Sequence, residues 1–213
     1  MAKITQEMLE IKYAELSLYE IEYEARGYKA IAGIDEAGRG PLAGPVVAAC
    51  CILDPAKPVY GLDDSKKLSE KKREALFPVI KENALAYAVV AVDAGTIDEI
   101  NILEATKQAM RECVRQISDS IVPDLLLIDA VKLEGVDQEV VPIIKGDAKS
   151  NSIAAASILA KVTRDHIMVE YDEKYPGYGF AKHKGYGTKD HYAAIREHGM
   201  SPIHRRSFLK VIH

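Results

Sequence analysis

Apolar runs and their polar breaks mark out five extended segments and several helices along the chain. Residues 30–35, Ala-Ile-Ala-Gly-Ile-Asp, are a short apolar run of the kind that fills a buried strand. A Gly/Pro-rich connection over 36–45 leads to a second run at 46–53, followed by a loop over 54–65 that carries Asp63-Asp64-Ser65. Ser69 is placed to cap a helix over 70–82, which Pro78 would kink. A third strand is predicted at 84–92, and Thr96-Ile-Asp-Glu99 reads as a capping box opening one long helix to about Ile117. Pro123 precedes an apolar run at 124–128 that stops at Asp129, and a further run near 140–144 stops at Lys145-Gly146-Asp147. Residues 150–172 read as a helix whose small residues Ala154 to Ser157 allow close packing on a sheet, and a short helix is predicted near 189–198. Ahead of the first strand, residues 4–26 read as a polar, Glu-rich helix. Three strands in succession, then strand–helix alternation, predict an α/β protein: a mixed sheet flanked by helices, with a helical N-terminal extension.

Composition narrows the class. The 213 residues suffice for one domain with a full core, and 48% hydrophobic with 28% charged residues excludes a disordered or fibrous chain. No apolar run is long enough to span a membrane, and the first residues lack the apolar stretch of a signal peptide. The three cysteines, two of them the adjacent Cys50 and Cys51, fit neither a disulfide framework nor a metal-ligand spacing, which predicts a reduced, cytoplasmic setting. A net charge of −4 argues against a polyanionic partner, but its distribution argues the other way. From Lys174 onward eight Lys or Arg face only Asp190 and Glu197, a local net of +6, and five of the six histidines fall there too. Lys66, Lys67, Lys71, Lys72 and Arg73 form a second basic cluster. A charge cluster alone is commonly just a solvated face, so the histidines and the 71–73 cluster have that bland reading beside them; the asymmetry nevertheless predicts one side that faces a polyanion.

Four acids stand out by position. Asp35 and Glu36 end the first strand, Asp129 ends the fourth, and Asp147 follows the fifth. A carboxylate at the end of an apolar strand is costly unless it is solvated, paired or metal-bound. Any one of them could be a turn or helix cap. Several apolar strands that each finish in an acid predict convergence at one edge of the sheet, where mutual repulsion is relieved by hard divalent cations. The adjacency of Asp35 and Glu36 predicts a strand that breaks there, with Gly38 and Gly40 supplying the break, because neighbouring strand residues point to opposite faces. Gly38-Arg39-Gly40 follows at once; its glycines let backbone approach a ligand closely, although a tight turn explains them equally well, and no Gly-Lys-Ser/Thr follows to make a phosphate loop.

The run Gly33-Ile-Asp-Glu-Ala-Gly-Arg-Gly-Pro-Leu-Ala-Gly-Pro45 closely resembles the signature of bacterial ribonuclease HII, the type 2 ribonuclease H. The resemblance continues in order through Asp64-Ser-Lys-Lys-Leu-Ser69, Ile128-Asp129-Ala130, Lys145-Gly-Asp-Ala-Lys149, Ala154 to Asp165, Tyr175 to Phe180, Lys184-Gly-Tyr-Gly-Thr188 and His204-Arg-Arg-Ser-Phe208, and so covers about residues 30–208. It implies a ribonuclease H-like five-stranded mixed sheet over residues 30–213, with a helical extension over 1–29. It implies endonucleolytic hydrolysis of RNA in RNA–DNA hybrids, incision at single ribonucleotides embedded in duplex DNA, and 5′-phosphate and 3′-hydroxyl products. The family's metal-binding catalytic acids map onto Asp35, Glu36, Asp129 and Asp147, with two divalent cations, Mn²⁺ or Mg²⁺, as cofactors. One ion would sit on Asp35, Asp129 and Asp147 and activate water; the other, on Asp35 and Glu36, would stabilise the leaving 3′-oxygen. Gly38, Arg39 and Gly40 map onto the motif that recognises the 2′-hydroxyl, and Tyr186, with Tyr178 as second choice, onto the tyrosine that stacks on the next deoxyribose. Phosphate contacts would come from among Lys66, Lys67, Lys182, Lys184, Arg205 and Arg206. The partners implied are RNA–DNA hybrids and ribonucleotide-containing duplexes, with no membrane, for a monomer in the cytoplasm.

Three alternatives compete with this resemblance. Actin-like ATPases and sugar kinases share the superfold but need a duplicated domain and a second Asp-Gly turn. A hybrid-binding module without activity would not need all four acids. Ribonuclease HIII, which cuts hybrids but not single embedded ribonucleotides, carries an extra N-terminal domain and a lysine-containing motif; here 34 residues precede Asp35 and the motif reads Glu-Ala-Gly-Arg-Gly.

Overall fold

The computed structural model describes residues 5–209. Five strands, β1 (Ile31–Ala37), β2 (Val46–Leu53), β3 (Ala84–Val92), β4 (Leu125–Asp129) and β5 (Glu139–Ile143), form one sheet in the order β3-β2-β1-β4-β5. β1, β2 and β3 pair antiparallel as a meander, while β1–β4 and β4–β5 pair parallel, so the predicted mixed sheet is present. Parallel pairs need crossovers, and helices supply them.

The period-2 alternation of a strand distributes the core over two faces. Cys50 packs with Cys113 and Met110 on one face, while its neighbour Cys51 packs with Ala155 and Leu159 on the other; all three cysteines are free and buried. The first face is covered by α5 (Ile102–Ser118), preceded by α4 (Ala94–Ile100); the second by α3 (Glu70–Asn83) and the 24-residue α6 (Asn151–Lys174). The Ala154–Ala156 stretch of α6 is fully buried, and this absence of bulk lets the helix lie close to β1. Gly33 marks the tightest point: a Cβ there would lie 2.0 Å from the Ser152 carbonyl carbon, so only glycine fits.

Several boundaries differ from expectation. The predicted 96–117 helix is two helices, because Asn101 adopts φ +69° and caps α5 by accepting from the Leu103 and Glu104 N–H groups; Asp93, rather than Thr96, caps α4. The 4–26 segment is also two helices, α1 (Gln6–Leu16) and α2 (Leu18–Ala25), meeting at Ser17; Ile4 lies outside the described residues. This pair grips the start of α6. The Glu20 carboxylate accepts from Ser150 Oγ (2.7 Å) and the Ser152 N–H (2.9 Å), and Asn151 Nδ2 donates to the Tyr13 carbonyl (2.8 Å). Ser69 caps α3 as predicted, and that helix runs on through Pro78. Beyond α6 the chain forms α7 (Phe180–His183) and α8 (Lys189–His198). Among the described residues no helix is long and apolar enough to cross a membrane.

Candidate active site

The lengths of neighbouring strands create the site. β1 stays paired with β2 out to Ala37↔Val47, but its pairing with β4 stops at Ile34↔Ile128. Asp35 and Glu36 therefore lie near the end of a strand that has lost one neighbour, and the expected break comes at Gly38, directly after Ala37. Asp129 is the last residue of β4, and its Oδ1 accepts from the Gly146 N–H at 2.7 Å, drawing in the short 3₁₀ turn Gly146–Ala148 that carries Asp147. One carboxylate oxygen from each of Asp35, Asp129 and Asp147 falls within 4.8 Å of the others. Asp35 and Asp147 are each 6% exposed.

Glu36 stands beside this trio. Its Oε1 meets Arg39 Nη1 at 3.4 Å, and its buried Oε2 has no hydrogen-bond partner among the described residues. Burial, then Glu36 and Asp129, holds the Asp35 carboxyl well above the usual carboxylate range. Burial also raises Glu36, against the pull of Arg39. Burial and the Asp64 carboxylate push Asp147 up to about 6. Burial opposes protonation of Lys66, but Asp35, Asp147 and Asp64 outweigh it and raise its ammonium. This is an under-neutralised nest of oxygen donors, with an orphaned carboxylate oxygen at its rim. Such a donor set fits hard divalent cations.

Two depressions flank the acids, and Lys66 lines both. One is bordered by Glu36, Gly38, Arg39, Gly40 and Tyr186, the other by Asp64, Lys67, Asp129, Lys145 and Asp147. Gly40 faces Tyr186, a residue 46% exposed, so the bend and the tyrosine line one wall together. Tyr178, the second choice, is buried, stacks on Phe180 and donates to the Gly199 carbonyl, so it has no face free for a nucleotide.

The basic candidates divide. Lys66, Lys67, Lys182 and Arg206 are exposed, with Lys67 near Asp63 and Lys182 bonded to Asp190. Lys184 turns back to donate to the Ala181 carbonyl on α7. Arg205 is 0% exposed and spends its guanidinium on backbone carbonyls. Its assignment to phosphate is corrected, because the side chain is fully buried and each guanidinium nitrogen is taken by a backbone carbonyl. Lys210 and His213 lie outside the described residues.

Sequence reasoning missed Asp64, which presses on Asp147; the Asp63-Asp64 pair in a loop looked like an ordinary turn. It also missed that His183, His191 and His204 are buried as a packed cluster against Phe180 rather than spread over the surface.

A sheet of this order with carboxylates gathered where β1 outruns β4 defines a ribonuclease H-like nuclease. The crystal structure of ribonuclease H2 from Pyrococcus horikoshii OT3 is similar, with a TM-score of 0.71 and 28% identity over 84% of this chain and 93% of that one. So is the ribonuclease HII in the PCNA:RNase HII complex from Archaeoglobus fulgidus, with a TM-score of 0.71 and 28% identity over 83% and 94%. The family model for ribonuclease HII matches residues 32–211, and ribonuclease HII of Acetivibrio thermocellus is 58% identical over 93% of this chain and 77% of its own length. The chain belongs to the ribonuclease HII family and is an endoribonuclease. Relatives between 53% and 60% identical are ribonuclease HII, so the ribonuclease HIII alternative is not favoured.

Proposed function

We propose that this enzyme cuts the RNA strand of RNA–DNA hybrids and incises at single ribonucleotides embedded in duplex DNA, leaving 5′-phosphate and 3′-hydroxyl ends. The observation that carries the reading is the meeting of Asp35, Asp129 and Asp147 oxygens within 4.8 Å, beside a groove walled by Gly38–Gly40 and Tyr186. Asp35, Asp129 and Asp147 are suited to hold one Mg²⁺ or Mn²⁺, and Asp35 with Glu36 a second. When bound, such a pair supplies an activated water and stabilises the leaving 3′-oxygen. The protein's own residues do the rest. The Gly38–Gly40 backbone reads the 2′-hydroxyl, which is what distinguishes RNA from DNA at one position. The Tyr186 ring packs against the following deoxyribose and rejects an added hydroxyl. Lys66, reaching toward both depressions, holds the scissile region's phosphate, while Lys67, Lys182 and Arg206 grip the backbone without regard to sequence. The reading includes a cytoplasmic monomer with residues 30–213 as the catalytic domain. Residues 1–29 form a bracing extension, an idea supported by the grip of Glu20 on Ser150 and Ser152.

The test is a duplex with one embedded ribonucleotide, incubated with wild type and Asp129→Asn in Mg²⁺ or Mn²⁺. Wild type should incise it to 5′-phosphate products, and the variant should bind but not cut. Cleavage of all-RNA hybrids with none at the single ribonucleotide would refute the substrate assignment, and an active Asp129→Asn would refute the site.

A further inference from the structure

Arg205 and Arg164 are among the largest fully buried side chains, an expensive place for permanent charge unless each donor is met. Their donors go to backbone carbonyls. Arg205 donates to Gly44 from Nε (3.0 Å), to Arg39 from Nη1 (3.0 Å) and to Gly38 from Nη2 (2.6 Å). Arg164 donates to Pro45 (2.9 Å), Lys184 (3.0 Å) and Ala43 (3.1 Å). Five of these six carbonyls belong to residues 38–45; the sixth belongs to the loop that carries Tyr186. Burial draws the Arg205 guanidinium down to about 9, which leaves it charged at neutral pH.

Peptide planarity turns this inward grip into an outward signal. Across a trans peptide the C=O and the following N–H point in opposite directions. With the Gly38 and Arg39 carbonyls drawn in toward Arg205, the N–H groups of Arg39 and Gly40 turn the other way, toward the groove. Neither N–H has an acceptor among the described residues. The fit is mutual: Gly38 sits at φ +94°, and a Cβ there would lie 2.1 Å from Arg164 Nε. A lysine cannot replace the fork, because one ammonium cannot span three fixed carbonyls in its plane.

We propose that Arg205, with Arg164 behind it, is a positioning residue that presets the Arg39 and Gly40 N–H groups as a donor pair for a ribose 2′-hydroxyl oxygen. This rests on the assignment of Gly38–Gly40 as the hydroxyl reader. Arg205 itself contacts no nucleic acid. Because the donors are held before substrate arrives, recognition does not have to order the bend.

The test compares affinities for a duplex with one embedded ribonucleotide and the all-DNA duplex of the same sequence, with Ca²⁺ as the sole divalent cation. Wild type, Arg205→Lys and Arg164→Lys are measured, with cooperative unfolding as the check on folding. Two hydroxyl-directed hydrogen bonds correspond to a preference of roughly tenfold or more in wild type. A folded Arg205→Lys should lose most of it, falling to within about threefold, while its affinity for all-DNA duplex holds. A merely structural arginine would lower stability and both affinities together. A wild type without any preference would sink the underlying hydroxyl-reading assignment. A clear wild-type preference retained by folded Arg205→Lys and Arg164→Lys would overturn the positioning role alone. Failure of both variants to fold would overturn it as well, since the guanidiniums would then be holding the fold and not the bend.

Discussion

Acid should weaken this protein through one buried imidazole, His204. Its Nδ1 accepts from the Ser201 N–H at 2.9 Å, so its proton must sit on Nε2, which faces His191 Nε2 at 3.0 Å. His191 is thereby the acceptor at Nε2 and donates from Nδ1 to the Tyr186 carbonyl at 2.9 Å. The chain of bonds favours both rings neutral, and a second proton on His204 would set an N–H against the Ser201 N–H, with the Ser201 Oγ, 2.8 Å away, left as its acceptor. Burial, reinforced by His191, draws His204 down from 6.5 to about 4. Between those values the unfolded chain binds more protons than the folded one, so stability rises with pH through that window and is complete above it. From pH 7 to about pH 4.5 the loss attributable to His204 is roughly 2.5 kcal/mol, at about 1.4 kcal/mol per pH unit. Raised carboxyls such as Asp35 and Asp147 act in the opposite sense, being relieved as they protonate, so the comparison must be made against a variant. Urea unfolding of wild type and His204→Gln at both pH values isolates the effect. The variant's deficit at pH 7 should shrink by roughly 2.5 kcal/mol at pH 4.5. A deficit that stays constant between the two would refute the neutral-tautomer argument.

Gly33→Ala should destabilise by about 3 kcal/mol or more in denaturant unfolding, because the added methyl meets Ser152 and Ile153 backbone atoms at 2.0 to 2.3 Å and α6 cannot retreat without dragging the caps at its start; an unchanged midpoint would refute this packing. Thermal stabilisation by Mn²⁺ should be larger at about pH 7.5 than at about pH 5.5, since Asp147, raised to about 6, must lose its proton before it can ligate, and should fall sharply in Asp129→Asn; a pH-independent shift would argue that Asp147 is not a ligand.

Local patterning carried much of this protein. The apolar runs located all five strands: burial on both faces leaves β1, β2 and β4 little choice of composition, while the edge strands β3 and β5 keep apolar runs although partly exposed. Acids at the ends of such runs stood out because no apolar core tolerates them unassisted. Ser69 announced its helix because an N-cap is a contact with residues two or three places on, wholly contained in the local chain. What remained hidden depended on a competing local signal or on partners distant in sequence. Asn101 splits a helix because φ +69° is stabilised by its own capping bonds, a choice that a capping-box pattern at Thr96 concealed. Asp35 and Glu36 lack a strand neighbour on one side because β4 ends early beside β1, and strand length relative to a neighbour belongs to the sheet, not to either segment. Arg205 looked like a phosphate ligand because charge is surface-seeking by default. Only the folded chain, bringing carbonyls from residues 38, 39 and 44 to meet it across some 160 positions, makes its burial affordable and gives it a different task.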